Sequence, residues 1–250
     1  MMKEPREWGL VVMSFALIFA FSTVDSAVAP LVHPVSRQFG VTPERALYLI
    51  SWCTAGTVGG VLVGPALTAS FPVARLLAAG VGGLLIGLAG FLGTADFGLA
   101  LACRLVGGSA AGLLASCLWW LTFYGVSRPF YQAMMTVLMS ARPLATAIGV
   151  PLAAVGAARL TWQAPFWGGF AAILAAGGLL AWLMGTRPDG EKKPFALGAI
   201  VADYGAALRV PLAMPYYLGF TVNRMCYFGF YALSGIWFAG HYGVTGEALA

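Results

Sequence analysis

The sequence predicts an all-α, polytopic membrane helix bundle of about seven transmembrane helices. Three observations carry that prediction. Sixty per cent of the 250 residues are hydrophobic and only 9% are charged, against about 25% charged in a soluble domain. Apolar runs long enough to cross a hydrocarbon core, roughly 18 residues or more, recur along the whole chain. Thirty-three glycines and eight tryptophans suit helices that pack closely in lipid and anchor at its interfaces. The net charge of +5 is modest and scattered, which fits the loop bias of a membrane protein and not a nucleic-acid partner.

The spans follow in order. The first covers residues 8–31. Its apolar stretch exceeds a signal-peptide core and contains Asp25, so it is read as a span that stays in the protein. The second (47–70) and third (74–94) are rich in glycine, and the turn after the third carries Asp96. The fourth (97–124) ends in an aromatic cluster, Trp119, Trp120 and Tyr124, of the kind that anchors a helix at an interface. The fifth (131–157) holds Pro143 near its middle, which predicts a kink. The sixth runs over 163–185 and the seventh over 213–239. Between these two lies the long connection 186–212, with TRPDGEKKPF and then ALGAIVADYGAALRV. It reads as a cytoplasmic linker with an interfacial helix. Three units result: a six-helix N-terminal bundle (1–185), the linker (186–212), and a seventh helix opening a second bundle (213–250).

Lysines and arginines outside the spans set the orientation. With the N-terminus inside, the cytoplasmic side collects Lys3, Arg6, Arg75, Arg128, Arg187, Lys192, Lys193 and Arg209, and the other side only Arg37, Arg45 and Arg159. The positive-inside bias therefore predicts a multi-pass inner-membrane protein with a cytoplasmic N-terminus. Cys53, Cys103, Cys117 and Cys226 fall inside spans at spacings that match no metal motif, and are read as small apolar residues. His33 and His241 are isolated at span ends. No metal site, haem or other cofactor is expected, and no catalytic Ser–His set points to an enzyme.

Four charges remain inside the spans: Asp25, Arg104, Arg142 and Arg224. A charge near mid-bilayer costs at least about 2.5–3.5 kcal/mol on insertion scales, so such groups face a water-filled cavity or a partner. Asp25 is the sole acid within a span. It is either able to accept and release a proton or held in a structural ion pair with Arg104. Arg142 stands beside Pro143, where freed backbone groups are tolerated if they line a cavity. It is expected either to bind an anionic substrate or to pair with Asp25.

These residues carry a family resemblance. The stretch from Phe21 to Trp52 resembles the first-helix region of the drug–proton antiporter branches of the major facilitator superfamily, through Asp25, Val28, Pro34 and Phe39-Gly40-Val41. The fourth span is similar to that family's Arg-x-x-x-Gly pattern through Arg104, Gly108 and Gly112. The fifth resembles its Gly-Pro antiporter motif through Gly149, Pro151 and Gly156, and Trp162 with Phe166 resembles its Trp-x-x-x-Phe. One loop departs. Between the second and third spans Gly64 matches, but Thr68 stands where an Asp belongs, and Ala69, Phe71, Pro72 and Val73 replace charged and glycine positions. Only Arg75 supplies a cation there, so the family's gating latch is put in question.

The resemblance also gives meaning to a repeat. Phe39-Gly40-Val41-Thr42 with Glu44 returns as Tyr242-Gly243-Val244-Thr245 with Glu247, 203 residues on. That distance is one six-helix half plus a linker, so the seventh span corresponds to the first. The sequence is expected to be a fragment of a twelve-helix protein, or to pair with a second copy. The resemblance implies a secondary active transporter, proton-coupled, for a small organic solute, with the lipid bilayer as its medium. Asp25, Arg104, Arg142 and Arg224 are the expected substrate or coupling residues. Gly64, Arg75, Gly108, Gly112, Gly149 and Pro151 are the expected gating or packing residues. The alternative is a non-transporting membrane scaffold or accessory subunit.

Overall fold

The computed structural model describes residues 4–185 and 197–242, and every regular element among them is helical. Six stretches are long and apolar enough to cross a membrane: Pro5–Ser26, Pro43–Ser70, Val73–Gly93, Phe97–Gly125, Arg128–Arg159 and Ala164–Gly185. They coincide with the first six predicted spans. The seventh prediction falls on a 30-residue helix, Ala213–Tyr242. That helix has the length to cross but is not among the six, and Asn223 and Arg224 stand near its middle. Gly243 and the residues after it, and with them most of the second copy of the repeat, lie outside the described residues, as do 186–196 of the linker.

The first helix, α1 (Glu4–Ser26), stops five residues short of the predicted end. Pro30 lacks the N–H that would close a helical bond to the Ser26 carbonyl, and Ala29 bonds it instead at 3.3 Å in a tighter turn. The chain then enters α2 (Val32–Phe39), and Gly40 ends that helix at φ 61°, a left-handed conformation that favours glycine. Thr42 caps the next turn, α3 (Pro43–Ala46), by accepting the Arg45 amide at 3.4 Å, with Pro43 at the first position. Phe-Gly-Val-Thr is therefore a stop followed by a start, the turn that feeds α4 (Tyr48–Ser70).

The third span is α5 (Val73–Gly93). The fourth is α6 (Phe97–Trp120), begun by the Asp96 side chain accepting the Leu99 amide at 2.7 Å and extended by a π-helical turn, Leu121–Gly125. The fifth span is broken. It runs as α7 (Arg128–Leu144), a π-helical turn (Ala145–Gly149) and α8 (Val150–Arg159). Pro143 removes one helical donor, and within the π turn the Val150 amide reaches back five residues to Ala145. The sixth is α9 (Ala164–Gly185); α10 (Leu197–Leu208) occupies the place of the expected linker helix, and α11 is Ala213–Tyr242. Tyr204 of α10 donates its hydroxyl to the Leu62 carbonyl on α4 at 3.0 Å.

The spans pack in the order second, fourth, third, sixth, first, fifth. The seam between α4 and α6 has almost no side chains in it. A Cβ added at Gly56 would lie 2.8 Å from the Ser109 amide nitrogen, one at Gly60 3.0 Å from Gly112 Cα, one at Gly108 3.0 Å from Cys53 Cα, and one at Gly112 2.7 Å from the Val61 amide nitrogen. Two backbones therefore touch directly, the small-residue packing that substitutes in lipid for a hydrophobic drive. Across the bundle, Gly149 instead receives a side chain, that of Thr23 of α1, since a Cβ added there would lie 3.0 Å from Thr23 Cγ2.

Candidate functional site

α1 and α6 do not pack helix on helix, and the space between them holds charge. Arg104, in the second turn of α6, is buried, with 7% of its side chain exposed. One of its terminal nitrogens, Nη2, lies 2.9 Å from Asp25 Oδ1, and its Nε donates to the Leu49 carbonyl at 3.3 Å. The guanidinium also lies over the Phe91 ring, 5.6 Å from its centre. Arg142, near the end of α7, approaches the other oxygen of Asp25 at 3.6 Å, with 44% of its side chain exposed. One carboxylate therefore meets two guanidiniums: one close, buried and held by a carbonyl and a ring, the other looser and half out of the bundle.

This cluster lines a cavity of about 70 Å³ to which all six spans contribute, among them Phe21 of α1, Cys53 and Thr57 of α4, Leu88 of α5, Gly107 of α6, Arg142 of α7 and Ile173 of α9. A buried water needs about 10–15 Å³ of such space, so the cavity takes several waters. It is far smaller than the roughly 300–1,000 Å³ of a pocket for an organic ligand. The charged site is thus a small chamber inside the six-helix bundle with room for water, and Arg142 is its most exposed charge.

The sequence-derived residues divide clearly. Asp25, Arg104 and Arg142 come together, so both pairings open to Asp25 exist at once. Arg224 lies on the backbone of α11, and its side chain is outside the described residues. Gly64, Gly108 and Gly112 lie in the α4–α6 seam, Gly64 against the Ser116 side chain. Gly149 packs on α1 beside the charged site, and Pro151 opens α8. Arg75 is exposed in the first turn of α5, and its guanidinium bonds no described residue. Trp119, Trp120 and Tyr124 sit at the far end of the fourth span, stacked among themselves and Phe123 (5.8–6.4 Å), not over the charges.

Four contributors escape the sequence reading. Cys53 and Cys103 line the chamber, where their spacing alone suggests packing. The Leu49 carbonyl is a backbone group with no sequence signal. Phe91 underlies Arg104 and is wedged between Trp162 (6.0 Å), Phe166 (5.7 Å) and Phe39 (6.1 Å). The Trp-x-x-x-Phe pair is the available clue: its two rings fix the ring that fixes the arginine. No family model matches this chain, and no curated protein matches it.

Proposed function

We propose that residues 1–185 of this chain form the N-terminal six-helix bundle of a major-facilitator-type secondary transporter, lying in the inner membrane with the N-terminus cytoplasmic. It couples the movement of a small organic solute to that of protons, and Asp25 is the coupling carboxylate. The observation that carries the reading is the Asp25–Arg104–Arg142 cluster, a single acid shared by two bases at a chamber lined by all six span-length helices. Intramembrane ionisable groups in such chambers belong to ion and proton pathways.

The order of packing supports the same reading. Exchanging span one with four, two with five and three with six turns the contact of one and five into that of four and two. It turns the contact of one and six into that of four and three, and returns three with six to itself. All five principal contacts are preserved, as expected of two nested three-helix repeats. In that fold a second bundle, from further chain or from a second copy, works against the first.

Protonation of Asp25 removes the charge that holds both guanidiniums. Arg104 keeps its carbonyl and ring contacts, whereas Arg142, at 3.6 Å and half exposed, is the one released. Loss of the proton draws it back. Proton occupancy at Asp25 thereby sets the position of a cation at the edge of the bundle. The test is solute uptake by proteoliposomes under an imposed pH gradient: the parent protein concentrates solute, and Asp25→Asn inserts normally but does not. Gradient-driven uptake by Asp25→Asn equal to the parent's removes the coupling role.

The scaffold reading rests on the loop between α4 and α5, where Arg75 has no acidic partner among the described residues. It predicts no gradient-driven uptake by the parent either.

A further inference from the structure

The exposed face of α7 is unlike those of α5 and α9. Exposed positions of α5 and α9 are apolar, such as Ile86, Leu174, Leu179 and Trp182, apart from Arg75 at the loop. On α7 the exposed positions Arg128, Gln132, Thr136, Met139 and Pro143 recur at spacings of three and four and so share one face. Met134, Ala141 and Ala145 are fully buried on the opposite one. Arg142 borders the exposed stripe and turns into the chamber. Gln132 and Thr136, with Arg142 at the border of the stripe, are costly against lipid tails, and such faces turn to water or to protein.

The lower end of the stripe opens into a groove of about 650 Å³, lined by Arg128, Gln132, Tyr131 and Phe123. Arg128 makes no side-chain hydrogen bond or ion pair to any described residue. From there Thr136 stands two turns up the helix, and Arg142 is about 21 Å from Arg128 along the axis, at 1.5 Å per residue. Cations thus mark both ends, with neutral polar and thioether groups between. The upper cation is the one that meets Asp25 at 3.6 Å and is 44% exposed in its side chain.

We propose that this face of α7 is the wall of a water-filled path for a small organic anion bearing a carboxylate or phosphate group. The groove at Arg128 is its mouth, and Arg142 is the point where the anion competes with Asp25 for a guanidinium. A planar, permanently charged fork suits carboxylate and phosphate equally. The inference rests on the transporter reading for its purpose, but its geometry is testable without transport.

The experiment is thiol labelling of the full chain in lipid nanodiscs, which leave both membrane faces open. Gln132→Cys, Thr136→Cys and Met139→Cys are compared with Ile86→Cys and Leu179→Cys, after subtracting the labelling of the native cysteines. The probes are water-soluble methanethiosulfonates carrying a sulfonate or a quaternary ammonium, each rate normalised to its reaction with free cysteine. The path predicts rates at 136 and 139 at least about tenfold above both controls, and a sulfonate preference of about threefold or more, the size of effect a focused surface field produces. Arg142→Gln should abolish that preference at 139, and Arg128→Gln at 132. Rates no higher than the controls overturn the path. Fast labelling without a sulfonate preference, or a preference untouched by both arginine substitutions, overturns the anion assignment. Anion-selective labelling in a protein that shows no gradient-driven uptake rejects the transporter reading and leaves the path standing.

Discussion

Replacing Arg104 by Gln leaves Asp25 beside a single guanidinium that is 3.6 Å away and 44% exposed in its side chain. The lost partner is buried and makes three defined contacts: Asp25 at 2.9 Å, the Leu49 carbonyl at 3.3 Å and the Phe91 ring at 5.6 Å. Removing one member of a buried ion pair typically costs about 3–5 kcal/mol, because the other charge is stranded. At about 2–4 °C per kcal/mol for a chain of this size, the apparent melting temperature in detergent should fall on the order of 10 °C. Arg142→Gln removes a half-exposed partner of the kind worth about 0–1 kcal/mol, so it should shift melting by only a few degrees. The double variant Asp25→Asn/Arg104→Gln should recover most of the loss, since the charge that then loses its acid, Arg142, is half exposed and no buried charge is stranded. The assay is fluorescence-detected size exclusion after heating. Arg142→Gln as damaging as Arg104→Gln, or a double variant no more stable than Arg104→Gln, would refute the assignment of Arg104 as the fixed partner.

Other outcomes follow from the packing. Gly112→Val should lower stability by at least about 1–3 kcal/mol, the usual range for overpacking, because a Cβ there meets α4 backbone at 2.7 Å; Gly59→Ala, with nothing within 4 Å, should be neutral or better, and equal melting of the two would contradict the seam. Phe91→Ala should cost about 3–5 kcal/mol, as expected of a fully buried ring, and should lower the melting of Asp25→Asn as well, since the ring is needed whether or not the pair is charged. Tyr204→Phe should leave melting unchanged but speed proteolysis near α10, because it deletes the hydroxyl bond at 3.0 Å that ties α10 to α4; unaltered cleavage would argue that this bond does not hold the linker helix.

Much of the fold was legible because a helix in lipid needs about 20 apolar residues and the sequence supplies them in blocks. Helix ends were less legible where apolar residues do something other than span. Ala27, Val28, Ala29 and Leu31 look like membrane helix by composition, yet they form a buried turn after Ser26, at 0–4% exposure, and Pro30 is what ends the helix. The fifth span showed its kink through Pro143, but the π turn at 145–149 that follows it depends on how Gly149 meets Thr23, a contact between distant segments.

At the site, the charges announced themselves because they are expensive in a span. Their hierarchy did not. Nothing in the sequence ranks Arg104 above Arg142. The ranking arises because the α4–α6 glycine seam brings the Leu49 carbonyl to Arg104, and because Trp162 and Phe166 hold Phe91 beneath it. The spacing of the chamber's two cysteines carries no ligand pattern, and only three-dimensional placement puts them in one cavity with Asp25.

The most direct measurement of the central claim is proton uptake on solute binding. Purified protein in weakly buffered detergent solution, with a pH-sensitive dye, is titrated with a panel of small carboxylates, phosphates and amines. The account predicts that a binding anion raises the proton count of the parent protein, because the anion takes Arg142 from Asp25. Asp25→Asn should bind without that change, and Arg142→Gln should lose binding. Identical proton uptake by Asp25→Asn and the parent, with the same bound solute, would contradict it.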